Sequence, residues 1–121
     1  MAAPNIVSVA SIYGRVAGQA VGITTTAIVT NGPTSGKVFK VNSLVISNVH
    51  GTDAADITAT LNKNQATEYH LTKTVTVPAD ATLVVISKDT SIYLEENDSV
   101  DLVASAASKL EAVCSYEEIS E

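Results

Sequence analysis

The sequence has no tryptophan, one phenylalanine, one methionine, four tyrosines and a single cysteine among 121 residues. Hydrophobic residues make up 45% of the chain and aromatics only 4%, so the core must be built from Val, Ile, Leu and Ala, which favours a tight sheet interior over a pocket lined with rings. Cys114 has no partner for an intramolecular disulfide, and at this length one domain can bury a core without disulfides or a metal. Basic residues are few: seven against thirteen acidic ones, for a formal charge of −6 and a pI near 4.7. Arg15, Lys37, Lys40, Lys63, Lys73, Lys88 and Lys109 are scattered, which argues against nucleic acid and an anionic membrane surface as partners. No run approaches the ~18 apolar residues of a membrane-spanning helix. The first residues carry no basic group before their apolar part, so the sequence predicts a soluble product not exported by a signal peptide.

What is present reads as strands and turns. Between Val77 and Ala104, turn residues at Pro78-Ala79-Asp80, Lys88-Asp89-Thr90 and Glu96-Asn97-Asp98 punctuate the apolar runs Leu83–Ile86, Ile92–Leu94 and Val100–Val103, the pattern of an antiparallel meander. Ile6 to Tyr13 is a short β-rich run ended by Gly14, read as an edge strand or an arm reaching a neighbour. The threonines Thr24 to Thr26 belong in a strand spanning Ile23 to Thr30 because β-branching disfavours a helix. Asn31-Gly32-Pro33-Thr34-Ser35-Gly36 is a turn. It is no phosphate loop, since three residues separate Gly32 from Gly36 and Val38 follows Lys37. In Lys37 to Val49 the apolar set changes phase near Asn42-Ser43, from Phe39 and Val41 to Leu44 and Ile46. A bulge there would return both pairs to one core, as would a strand buried on both faces at different points. Alternation puts Tyr69, Leu71, Val75 and Val77 on one face and His70 on the other, toward solvent or a partner, and places Cys114 beside Leu110, Ala112 and Tyr116 as a buried hydrophobe. Only Ala104 to Lys109 has a helix-friendly composition, and it is short. Eight to ten short strands with no helical period predict one all-β domain over residues 1–121, a two-layer antiparallel sandwich of jelly-roll type.

No constellation carries chemistry. The carboxylate pairs Asp53/Asp56, Glu95/Glu96, Asp98/Asp101 and Glu117/Glu118 are sequence neighbours at turns and strand ends, a poor basis for a hydrolytic pair. His50 to Asp56 and Glu95 to Asp101 offer oxygens but not the spacing of a calcium loop, and His50, His70 and Cys114 form no zinc pattern. There is no Gly-x-Ser-x-Gly elbow, and Asn97-Asp98-Ser99 reads as a turn before a glycosylation site. The sequence therefore predicts no catalytic residue, metal or cofactor, and a non-enzymatic protein. For a sugar-binding module the candidate rings are Tyr13, Tyr69, Tyr93, Tyr116 and Phe39, most of them assigned to a core.

The succession Ser35–Leu44, Ile46-Ser47-Asn48, Gly51–Thr58, Val77–Ile86 and Ile92–Ser99, with Leu110–Tyr116, resembles small virion proteins of tailed bacteriophages, especially those of marine cyanobacteria. The Leu-x-x-Gly-Asp-x-Ile/Val hairpin common in such sandwiches stands here as Leu94-Glu95-Glu96-Asn97-Asp98-Ser99-Val100, with Asn97, which tolerates the left-handed conformation, where glycine is usual. The resemblance implies a structural subunit of a virion. The expected role is capsid decoration through contacts with the major capsid protein, in a homo-oligomer, a trimer by preference, with Ala2 to Tyr13 as the contact arm. The alternatives are a neck, tail or baseplate subunit and, from another class, a host-surface carbohydrate-binding appendage.

Overall fold

A computed structural model describes Val7 and residues 10–121. Nine strands follow one another: β1 (Ser11–Val21), β2 (Thr26–Thr30), β3 (Lys37–Asn48), β4 (Ala55–Lys63), β5 (Thr67–Val77), β6 (Thr82–Ile86), β7 (Ile92–Leu94), β8 (Ser99–Ala104) and β9 (Leu110–Ser120). The only helical element among the described residues is a 3-10 turn at Lys88–Thr90.

The strands form two antiparallel sheets. The first has the order β1-β9-β3-β6, with β7 also on β3, and the second the order β2-β8-β4-β5. Because β1/β2 pair with β9/β8, and β3/β4 flank the other side of that same pair, the chain winds as a jelly roll, as the strand spacing predicts. Both sheets bury one face. Leu44, Ile46, Val41, Cys114 and Ala112 from the first meet Ile57, Ala59, Val100 and Leu102 from the second, all at most 1% exposed. Of the two readings left open near Asn42-Ser43, the bulge is the one that forms: the β3–β9 register shifts between Val41 and Ser43, and Phe39, Val41, Leu44 and Ile46 are all buried.

Four expectations are corrected. The runs between Leu83 and Val103 are strands but not a meander: β6 and β7 both pair with β3, whereas β8 lies in the opposite sheet. The Leu94–Ser99 loop carries the chain between sheets, so strands that are neighbours in sequence find longer apolar partners elsewhere. Gly14 does not end the first strand, which runs through it and Gly18 to Val21, held by backbone pairing to β9. Residues Ile23 to Thr25 precede β2 instead of belonging to it. Tyr69 and Val75 pair with Leu61 and Ile57 and so share the inner face as alternation read it, yet both are exposed, because β5 ends its sheet and that end is left uncovered. Of the expected arm Ala2 to Tyr13, Ser11 to Tyr13 open β1. Residues 2–6, 8 and 9 lie outside the described residues.

Candidate assembly surface

Strand β1 is bound on one side only. All its residues from Ser11 to Val21 pair with Ser120 to Leu110 without a register break, and its other edge closes no ladder among the described residues. Along that edge alternate residues direct N–H and C=O groups outward, a template for another strand. The strand holds one charged residue, Arg15, and no proline.

Both faces of its first half are also open. Residues paired across a ladder share a face, so Ile12, Gly14, Val16, Gly18 and Ala20 stand on the outside of the sandwich, and Tyr13, Arg15, Ala17, Gln19 and Val21 on the core side. The core side closes only toward Val21, where β2, with five residues against eleven in β1, crosses and Gln19 donates to Thr26 Oγ1 at 3.0 Å. Beyond that cover Ile12, Tyr13 and Val16 are 56%, 55% and 70% exposed.

Glu118 on β9 organises the open end. It lies opposite Tyr13 and Phe39, with Arg15 and Lys37 one diagonal step away on the flanking strands. Arg15 Nε donates to its carboxylate at 3.3 Å and Lys37 Nζ donates to its other oxygen. The Lys37 bond first, then the charge of both cations, hold the Glu118 carboxyl below the ordinary carboxylate range against some desolvation. Arg15 also lies 5.6 Å from the centre of the Tyr13 ring, and Phe39 packs on Tyr116 at 5.3 Å between centroids. The cationic groups are thus committed to Glu118 and Tyr13.

Outside, Gly18, Val113, Val45 and Val84 form one row across β1, β9, β3 and β6. Beside it, the small side chains of Gly18 and Ala20 leave a shallow depression bounded by Glu111, Ala112 and Val113. None of its lining residues is aromatic. The exposed tyrosines Tyr13, Tyr69 and Tyr93 sit on β1, β5 and β7, and do not gather around this depression as a sugar platform would require.

The residues that sequence offered for chemistry have structural partners. Asp98, 1% exposed, accepts from the amides of Asn64 (2.8 Å) and Glu95 (2.9 Å) and from Lys63 Nζ (2.8 Å), so it ties the β4–β5 turn to the β7–β8 loop. The hydrogen bond to Asp98 is the main cause of a raised Lys63 pKa, which keeps that amine a protonated donor and not a nucleophile. Asn97 adopts φ 69°, the left-handed turn expected of it, and donates its amide to the Asn31 carbonyl at 2.9 Å. Asn31, fully buried, donates in turn to the carbonyls of Lys37 and Leu94. Asn48, also buried, repeats the device at the opposite end of β3, donating to the carbonyls of Asp53 and Val77. In the sequence Asn31 reads as the start of a turn, and neither asparagine shows this tying role. Both directly precede or follow turns, which is the one signal that would have found them.

His50 Nδ1 accepts from the Asp53 amide at 3.0 Å within its own turn, while His70 is exposed on β5. Asp56 bonds Thr76, Asp101 bonds Ser99 and Asn62, and Glu96 accepts from the Gly36 amide, so the carboxylate pairs are spread over turns and ladders. Among the described residues no three His, Cys, Asp or Glu side chains come together as a metal site. Cys114 is wholly buried, and burial pushes its thiol up to about 11.

No family model and no curated protein matches the chain. The fold is similar to a solved structure from Bacillus endospore appendages, a family of disulfide-linked pili. The TM-score is 0.55 at 14% identity, over 91% of this chain and 87% of that one. This finding overturns the expected role in phage capsid decoration, since the similar structure belongs to an appendage and not to a capsid.

Proposed function

We propose that the chain is a structural subunit of a protein appendage, built by strand pairing between folded sandwiches and without disulfide links. The observation that carries this reading is β1, eleven residues long, unbroken in register and open on one edge and, in its first half, on both faces. A long edge with a single charge, Arg15, and with exposed Ile12 and Val16 is an association hazard unless a partner covers it. The likeness to a pilus subunit supports the same reading through the fold.

The chain departs from that neighbour in how copies can be joined. It holds one cysteine, and Cys114 is buried between the sheets with its thiolate disfavoured, so it presents no sulfur to another copy. Cohesion must come from backbone pairing and apolar burial. Light scattering over a range of protein concentrations, with electron microscopy of the same samples, tests this. Assemblies larger than the monomer that persist in excess reductant are the expected result. A monomer at every concentration, or assemblies dispersed by reductant, would overturn it.

A further inference from the structure

We infer that the β1 edge takes β1 of a second copy, antiparallel and about a two-fold axis at Val16; this rests on the assembly reading above and specifies its contact. The first ground is that the other described edges are poor partners. β2 is five residues long with a register shift between Ala27 and Val29. β5 is bulged around Ala59, carries Glu68, His70 and Lys73, and holds Thr74 at φ 46°. The side beyond β3 is divided between β6 and β7, of five and three residues, interrupted by the Lys88–Thr90 turn. Only another β1 offers an eleven-residue ladder of matching length.

The second ground is self-complementarity. With Val16 opposite its own copy, the outer face sets Ile12 against Ala20 and Gly14 against Gly18, so large residues meet small ones and the glycines let the backbones approach. On the core side Tyr13 falls opposite Gln19 and Arg15 opposite Ala17. The two guanidinium groups therefore do not oppose each other, and each already bonds Glu118 of its own chain. A two-fold contact of this kind uses the same patch on both copies and closes on itself, giving a dimer with one continuous sheet of order β6-β3-β9-β1-β1-β9-β3-β6; this dimer is the building unit, and its joining into an appendage falls to apolar burial on the outer face, where Val84 and Val113 are exposed.

Spin labels on the intact chain test the pairing, using Ile12→Cys and Ala20→Cys in separate samples. The buried Cys114 takes no label under native conditions, and unsubstituted chain is the control. Residues 12 and 20 lie equally far on either side of the axis, so both samples should give the same separation between copies, about 27 Å along the strands. Unequal separations in an assembled sample overturn the Val16 register while leaving the appendage reading standing. Val16→Lys, at a position 70% exposed, should fold normally and associate about tenfold more weakly or worse by placing two ammonium groups face to face. Val16→Ile should associate as the unsubstituted chain does. Association that survives Val16→Lys but disappears on removal of residues 2–9 assigns the edge to the N-terminal segment of the second copy and overturns the proposal.

Discussion

Strands β1 and β5 are both eleven residues long and both lie at the end of a sheet, yet they treat the same exposed backbone in opposite ways. β5 is guarded. Its ladder to β4 slips on either side of Ala59, Thr74 is forced to φ 46°, and Glu68, His70 and Lys73 face solvent. Its turn is fastened by Asp98 through Lys63 and Asn64. β1 keeps perfect register, carries one charge and ends in a half whose both faces are open. Guarding an edge needs only a bulge and a few charges, and the lack of guards on β1 is the ground on which we propose it as the edge for pairing.

The largest break in this comparison comes from the β5 anchor. Asp98→Ala removes the charged acceptor of the part-buried amides of Asn64 and Glu95, bonds worth about 1–2 kcal/mol each, so chemical denaturation should show a loss on the order of 2–4 kcal/mol. Hydrogen exchange should then rise in β4–β5 before β1–β9; a uniform rise would mean that the two edges are not independent.

Acid sharpens the other side. Glu118 has a lowered pKa, so its contribution is present above its ordinary carboxylate value and lost as pH falls through the depressed one. Denaturation midpoints should fall in that window, and Glu118→Gln should flatten this part of the profile, whereas a variant with the unaltered slope would remove Glu118 from the account. Lys63 works in the opposite sense: its raised pKa gives a contribution present below the ordinary lysine value and lost as pH climbs through the raised one. Fluorescence of an introduced reporter on β5 should therefore detect loosening at strongly alkaline pH before one on β1 does.

The smallest effect is at Thr74. Glycine costs nothing at positive φ where threonine costs about 1 kcal/mol, so Thr74→Gly should leave the thermal midpoint unchanged or raise it slightly. A marked loss would show that the side chain, and not only its backbone, holds the guard in place.

Much of the fold was legible in particular residues. The phase change between Val41 and Leu44 announced the bulge, alternation from Leu110 to Tyr116 buried Cys114, and Asn97 in the place of glycine announced a left-handed turn; all three are present. The surface was less legible. Sequence placed a break at Gly14 because glycine weakens an isolated strand, but eleven backbone pairings with β9 carry β1 through it. Alternation gave Tyr69 the right face, opposite Leu61, but it cannot register that β5 ends its sheet and leaves that face uncovered.

What the sequence by itself determined is the class of interior and the kinds of link available: a Val/Ile/Leu/Ala core in a two-layer β fold, one cysteine, and scattered charge. These follow from composition and period, which act within a few residues. Only the tertiary structure decided that β6, β7 and β9 all converge on β3 and that β1 is left with an open edge. Strand order is settled by pairings between residues as far apart as Ser11 and Ser120, where the free energy of a ladder depends on both partners at once and no single stretch carries it.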